Sequence, residues 1–246
     1  MNRYIILTSV VCLLLGMLPV AGNAQLVFVD PGWPAVCVDS ITWVDVRVDS
    51  MVNSIHSYAC LLYIDTSKVY LDSVIQGTIL DSIFGGYDTA TVWFGWEYDD
   101  HYPDSLYFGA SIFGVGTFVN GPGQLARIWL TGKHEGETPV AFGRCVLLDT
   151  SSQAEPMEVT TEDGQIIVLG PGIRYGDVND DGTIDLGDVI YLINYLYRNG
   201  LNPTPWWFVG DANCDMMVDI ADVLYLINYL YKYGPEPCYP CGKAGR

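Results

Sequence analysis

Residues 176–200 read GDVNDDGTIDLGDVIYLINYLYRNG, and residues 210–234 read GDANCDMMVDIADVLYLINYLYKYG. The two stretches repeat with a period of 34 residues, and 15 of their 25 aligned positions are identical. A repeat of this kind indicates two copies of one structural unit that pack against each other. Each copy has an acidic first half, followed by apolar residues at three- and four-residue steps, which predicts a loop and then a helix. Gly200 and Gly234 end the copies and suit helix C-caps.

The acidic half of each copy has the spacing of a calcium-binding loop. Calcium takes about six to eight oxygen ligands, and a twelve-residue loop supplies them from positions 1, 3, 5, 7, 9 and 12. In the first copy these positions hold Asp177, Asn179, Asp181, the Thr183 carbonyl, Asp185 and Asp188. In the second copy they hold Asp211, Asn213, Asp215, the Met217 carbonyl, Asp219 and Asp222. Aspartates that only solvate a surface have no reason to recur in register, so we predict two bound Ca²⁺ ions.

The two loops differ at position 6, where the chain must turn sharply. The first loop has Gly182 there, and the second has Met216. A sharp turn favours a residue without a Cβ atom, because side chains are disfavoured at positive φ. We therefore expect the second calcium site to be the weaker one.

The order of elements separates these repeats from a paired EF-hand, which has a helix before each loop as well as after it. Here only linker precedes Asp177, a Pro-rich stretch over residues 202–207 precedes the second loop, and position 12 is Asp instead of Glu. A doubled loop-then-helix unit with Asp at position 12 resembles the type I dockerin family, over about residues 175–235. The resemblance implies a small all-α dockerin with two calcium loop–helix repeats (F-hands). It also implies binding to the cohesin modules of a scaffold protein.

The resemblance further implies which residues contact a cohesin, namely loop positions 10 and 11 and the helix that follows. These are Leu186, Gly187, Ile193, Asn194, Arg198, Ile220, Ala221, Ile227, Asn228 and Lys232. Well-known dockerins have hydroxyl residues at positions 10 and 11, and this chain does not, so the partner's identity stays open. The near-identity of residues 191–197 and 225–231 implies two docking orientations. The alternative is that the apolar residues only pack the helices together, with Arg198 and Lys232 complementing the helix C-termini.

Residues 25–170 have the pattern of an all-β region. Polar and apolar residues alternate from Ile41 to Asp49, and turn signals such as Asn120-Gly121-Pro122-Gly123 separate the candidate strands. Nine candidates lie at 26–30, 41–49, 58–65, 68–76, 91–98, 106–113, 124–131, 139–149 and 165–169. Their number and spacing predict a nine-stranded jelly-roll sandwich. Gly170-Pro171-Gly172 marks a linker, so we expect a sandwich over 25–170, a linker over 171–175, a dockerin over 176–234 and a tail over 235–246.

The sandwich in turn resembles a cohesin. The segments that carry the resemblance are Val44–Asp49, Leu61–Asp65, Gly121–Leu130, Glu137–Leu148 and Asp163–Val168. It implies that other dockerin-bearing proteins bind the sandwich. The alternative is a carbohydrate-binding module for a polysaccharide, because carbohydrate-binding sandwiches share this architecture. The candidates for sugar stacking are Trp93, Trp96, Tyr98 and Tyr102, although strand alternation assigns one set of these aromatic residues to the core.

The N-terminus predicts export. Arg3 precedes an uncharged apolar run from Ile5 to Val20, and small residues precede Gln25, which together are typical of a signal peptide over residues 1–24. The alternative is an uncleaved membrane anchor. Export permits disulfides among Cys37, Cys60, Cys145, Cys214, Cys238 and Cys241, and the sequence does not fix their pairing. The short spacing of Cys238 and Cys241 favours a local disulfide or free thiols in the tail.

Composition excludes several classes of function. The chain has 29 acidic and 11 basic residues, so its net charge of −18 disfavours nucleic acid and anionic membrane surfaces as partners. It has three His residues and no GxSxG motif, and no carboxylate pair is marked as catalytic. We therefore predict a secreted, non-catalytic adaptor, extracellular or in a cell-surface assembly and free of the membrane after signal cleavage. Any link to glycoside hydrolases or polysaccharide breakdown would come through its partners, as in cellulosome-like complexes.

Overall fold

The computed structural model of the protein describes residues 25–32, 34–83, 91–98, 104–114, 116–150, 156–239 and 241. The predicted signal peptide, Tyr102 and the end of the tail lie outside the described residues. The described N-terminal part forms two β-sheets, and two α-helices follow.

The strands of the first part pack as a sandwich. They are β1 (Gln25–Asp30), β2 (Ala35–Cys37), β3 (Ile41–Val48), β4 (Ser57–Ile64), β5 (Val69–Gln76), β6 (Thr91–Tyr98), β7 (Ser105–Phe113), β8 (Gly123–Gly132), β9 (Gly136–Leu148), β10 (Val159–Glu162) and β11 (Gly164–Leu169). One sheet has the order β10-β1-β3-β8-β5, and the other has the order β2-β11-β9-β4-β7-β6. The neighbours are antiparallel except for β1 with β10 and β2 with β11, which are parallel.

Alternation along the strands builds the core between the sheets. On β4, Tyr58, Cys60, Leu62 and Ile64 are buried, while the residues between them face outward. On β8, Ala126, Ile128 and Leu130 pack into the same core. Burial of such side chains contributes about 1.5–3 kcal/mol each, so the sandwich has a substantial core of its own.

The prediction of nine strands is wrong, because the described residues contain eleven. The two that the sequence missed are β2 and β10, which have three and four residues. Each is an edge strand held by parallel pairing to a strand distant in sequence. Segments this short do not show a period-2 pattern, so only the tertiary pairing reveals them.

The second part contains α1 (Leu186–Tyr197) and α2 (Ile220–Lys232). Asp185 and Asp219 cap them: the side chain of each accepts a hydrogen bond from a backbone N–H in the first turn. The helices pack on a small core of Val178, Val189, Leu192, Ala212, Val223 and Leu226. Among the described residues, no helix is both long enough and apolar enough to cross a membrane.

Three disulfides join the six described cysteines. Cys60 pairs with Cys145 across β4 and β9, Cys37 with Cys241, and Cys214 with Cys238. The expectation of a local Cys238–Cys241 bridge or free thiols is therefore wrong. Each tail cysteine has a distant partner, and the Cys37–Cys241 bridge spans 204 residues of sequence to join the tail to β2.

Candidate functional site: paired calcium loops

The first predicted loop, Asp177–Asp188, folds around its own carboxylates. Asp177 accepts hydrogen bonds from the backbone N–H groups of Asp181 (3.2 Å) and Gly182 (3.0 Å). Asp188, at the far end of the loop, accepts from the backbone N–H groups of Val178 (2.9 Å) and Asp185 (2.8 Å). The first and last carboxylates of the loop therefore set its curvature.

The second loop, Asp211–Asp222, repeats this geometry. Asp211 accepts from the backbone N–H groups of Asp215 (3.1 Å) and Met216 (3.0 Å). Asp222 accepts from those of Asn213 (3.2 Å) and Asp219 (2.9 Å). In both loops the position-3 amide nitrogen, from Asn179 or Asn213, donates to the position-5 carboxylate. The two loops thus have the same backbone path despite Met216.

Burial separates the predicted ligands into two groups. The aspartates at positions 1 and 12, Asp177, Asp188, Asp211 and Asp222, are buried, and the last residue of each loop is fully so. Burial raises the pKa of all four carboxyls, and neighbouring carboxylates raise these pKa values further. The position-5 aspartate of the first loop is exposed, and its hydrogen bonds to Thr183 lower the pKa of Asp181.

The donor chemistry of both loops fits calcium. Every predicted ligand is an oxygen atom, as a hard cation requires. In the part of the chain that the structure describes, no Lys or Arg side chain forms a salt bridge with a loop carboxylate, so a bound cation would supply the missing positive charge. Among the same residues, no group of three or more His, Cys, Asp or Glu side chains is drawn together as a metal cluster. Instead, the loop carboxylates bond to backbone N–H groups of their own loops.

The structural repeat extends past each helix, beyond the residues 176–200 and 210–234 that align in sequence. After each helix the chain returns to its own loop: the backbone N–H of Thr204 donates to Val178, and that of Cys238 donates to Ala212, the equivalent position. Pro203 and Pro237 are buried at matching points of these return segments. The shared Pro, 34 residues apart, was the available signal, but its neighbours differ in the two copies.

The surface beside the loops is apolar and duplicated. Leu186 and Ile220, at loop position 10, are about half exposed. Two further matched pairs, which are not among the predicted cohesin contacts, are also about half exposed: Ile190 with Leu224 and Tyr197 with Tyr231. The predicted contacts Gly187, Asn228, Arg198 and Lys232 are exposed as well, whereas Ala221 and Asn194 are half-buried. Ile193 and Ile227 pack partly against the small core, so they contribute to holding the helices together.

The sandwich has an open groove of about 900 Å³ on the outer face of β9, β4, β7 and β6. Its floor is a row of paired residues on neighbouring strands: Gly95, Gly109, Ala59 and Val146. Trp93 and Tyr107 stand on either side of this floor and are about half exposed. The Trp93 ring lies over Gly95, where a Cβ atom would come within 2.6 Å of it.

Of the other predicted sugar-stacking residues that the structure describes, Trp96 also borders the groove, whereas Tyr98 does not line it. The Tyr98 hydroxyl accepts a hydrogen bond from the backbone N–H of Asp104 (3.2 Å). Phe94, on the same side of β6 as Tyr98, packs partly against the core. Trp96 shares that side and is half exposed, because β6 is an edge strand. Of the described candidates, Trp93 is therefore the one that points away from the core.

Comparison with known families agrees with this geometry. The family model of the dockerin type I domain matches residues 175–231. Residues 175–231 are therefore similar to a dockerin type I domain. We refer to residues 175–238, which include the last return segment, as the dockerin segment. No curated protein matches the chain.

Solved structures similar to the sandwich include cohesins. One is a non-cellulosomal cohesin from Archaeoglobus fulgidus, with 12% identity, coverage of 59% of this chain and 91% of that chain, and a TM-score of 0.47. Another is from a type I cohesin–dockerin complex of Clostridium thermocellum, with 15% identity, 60% and 94% coverage, and a TM-score of 0.47. A type II cohesin domain from the cellulosome of Acetivibrio cellulolyticus has 13% identity, 58% and 94% coverage, and a TM-score of 0.46.

Proposed function

We propose that the protein is a secreted, non-catalytic adaptor whose dockerin segment folds around two calcium ions and docks onto a cohesin-bearing partner. One observation carries this proposal. Eight side-chain hydrogen bonds recur at matching positions of the two loops, and each loop is followed by a helix with exposed apolar residues at matching positions. Asp177, Asn179, Asp181, Asp185 and Asp188, with the Thr183 carbonyl, would hold the first ion. Their counterparts 34 residues later would hold the second.

The proposed role of calcium is to neutralise and draw together carboxylates that the fold has already buried. The last aspartate of each loop also caps the helix entry, because Asp188 and Asp222 accept hydrogen bonds from the N–H groups of Asp185 and Asp219. A metal held at this point fixes the start of α1 or α2. It would thereby set the orientation of Leu186 or Ile220, the first residue of that helix.

The adaptor proposal is tested by binding of the mature protein to a panel of cohesin modules. We expect at least one module to bind in calcium and to dissociate in a calcium chelator. Binding that persists in chelator would contradict a calcium-dependent docking surface, and failure to bind any cohesin would contradict the partner class.

The groove on the sandwich supports a second candidate function, binding of a neutral polysaccharide chain. Gly109 has no side chain and its neighbour Ala59 has a small one, so an extended ligand can lie close to the sheet beside the Trp93 ring, which covers Gly95. Trp93 and Tyr107 offer aromatic faces, which suit the C–H faces of sugar rings. Glu97 and Arg144 line the same groove and could hydrogen-bond to hydroxyl groups. The same groove could instead receive a dockerin-bearing protein, which the following experiment distinguishes.

Replacing Trp93 with Ala should weaken polysaccharide binding by about tenfold, since the ring contributes its stacking surface directly. The measurement is retardation of the mature protein in gels that contain soluble neutral polysaccharides. The matched control is Trp43→Ala, because Trp43 is similarly exposed but lies on β3 in the other sheet. The sugar proposal would be contradicted by no retardation of the wild-type protein, or by equal losses in both variants. Loss of dockerin binding alone in Trp93→Ala would favour the adaptor role for this groove.

A further inference from the structure

At the same two backbone positions, the first calcium loop has residues that adopt positive φ easily, and the second has residues that do not. Positions 4 and 6 have positive φ in both loops: +57° at Asp180 and +87° at Gly182, and +59° at Cys214 and +72° at Met216. Gly adopts such values freely and Asp tolerates them, whereas other side chains are disfavoured there. The second loop therefore holds two strained residues where the first loop holds none of that kind.

The second loop is also crosslinked at one of these two positions. Cys214, at position 4, forms a disulfide with Cys238 in the return segment after α2. The equivalent positions of the first repeat are Asp180 and Thr204, which carry no such bond. In both repeats the return segment also bonds to loop position 2, through the backbone N–H of Thr204 or Cys238. The disulfide thus reinforces a contact that the first repeat makes by hydrogen bonding alone.

The tail around Cys238 is held independently of the disulfide. Pro237 is buried and lies near the position where a Cβ atom on Gly176 would be, at 3.3 Å. The Tyr225 hydroxyl donates a hydrogen bond to the Glu236 carbonyl at 3.2 Å. Cys238 is consequently a fixed anchor, so its bond to Cys214 restrains the loop more than it restrains the tail.

We propose that Cys214 and Cys238 are positioning residues for the second calcium site: their disulfide holds the loop in the backbone conformation that binds calcium and compensates for Met216. The proposal rests on the proposed calcium function. The crosslink restricts the conformations of the calcium-free loop, so that less free energy is lost when calcium binding brings Cys214 and Met216 to positive φ. The first site, with Asp180 and Gly182, has no such dependence.

The test isolates each site in the mature protein. Asp181→Ala leaves only the second site intact, and Asp215→Ala leaves only the first, because Ala supplies no oxygen ligand at position 5. Into each background we would introduce Cys214→Asn with Cys238→Thr, because Asn tolerates positive φ and Thr is the residue of the first repeat. Calcium affinity is then measured by titration calorimetry. We expect removal of the crosslink to weaken the second site by about tenfold and to leave the first within about twofold.

A rescue variant separates positioning from general stability. Adding Met216→Gly to the crosslink-free protein gives the second loop the residue that the first loop has at position 6, which adopts positive φ without strain. This change should restore most of the calcium affinity that the second site has lost. This variant also covers the case in which the crosslink-free loop fails to fold, because the first loop already reaches the same conformation without a disulfide.

The possible outcomes are distinct. If the wild-type protein binds no calcium, the proposed function fails. If calcium binds but the second site has the same affinity with and without the disulfide, or both sites weaken equally, the positioning role is overturned. It is also overturned if non-reducing peptide mapping of the wild-type protein pairs Cys238 with Cys241.

Discussion

Removing calcium from the mature protein should unfold the dockerin segment and leave the sandwich folded. The segment has a small core, in which six buried apolar residues form one cluster, and this is too little to stabilise a unit of this size without a further contribution. Calcium at a concentration a thousand times its dissociation constant adds about 4 kcal/mol per site to the free energy of unfolding, which is comparable with the total free energy of unfolding of a small domain. We therefore expect chelator to abolish most of the helical circular dichroism signal. The sandwich, with its own larger core, should keep its thermal transition.

Single loop variants make this expectation specific to the assigned ligands. Asp181→Ala should reduce the calcium stoichiometry from two ions to one, because Asp181 holds position 5 of the first loop and Ala supplies no oxygen ligand there. The matched control is Asp180→Asn, which removes the same charge from the neighbouring exposed residue at position 4. Asn also tolerates the positive φ at that position. Equal effects of the two substitutions would mean that the loop attracts calcium by its overall charge, and two ions bound to Asp181→Ala would refute the ligand assignment.

The local features of the dockerin segment could be predicted from the sequence because their causes are local. Oxygen-bearing residues at fixed spacing imply the loop, and a three- and four-residue apolar period implies the helix that follows. The helix starts agree with this reading, since Asp185 and Asp219 are the N-caps. The symmetry of the two loops was likewise visible in the 34-residue period.

Features that depend on long-range contacts could not be predicted in the same way. Parallel pairing with strands far away in sequence defines β2 and β10, and no local pattern marks either strand. The partner of Cys241 lies 204 residues earlier, so its spacing from Cys238 was misleading. The groove on the sandwich forms because Gly95, Gly109 and Ala59 come into register on adjacent strands, and register is a property of the folded sheet.

Because the apolar surface of the dockerin segment is duplicated, replacing both copies should weaken cohesin binding far more than replacing one. We expect Leu186→Asp alone, or Ile220→Asp alone, to lower affinity for a cohesin module by about twofold, because a pseudo-symmetric surface loses one of two equivalent orientations. The double variant should lose about a hundredfold or more, since both orientations would then bury a carboxylate in an apolar contact. Each substitution lies at the first residue of its helix, where Asp is favourable to the helix dipole, so the fold should be preserved.

The control for this experiment is Leu201→Asp, which adds the same charge at a residue that is 79% exposed in the segment between the repeats. Its affinity should match that of the wild-type protein, and calcium stoichiometry should stay at two ions in every variant. Binding is measured by titration calorimetry against a cohesin that binds the wild-type protein. Abolition of binding by either single variant would show that only one helix docks. A double variant with wild-type affinity would place the docking surface away from Leu186 and Ile220, leaving the other exposed pairs, Ile190 with Leu224 and Tyr197 with Tyr231, as the next to replace.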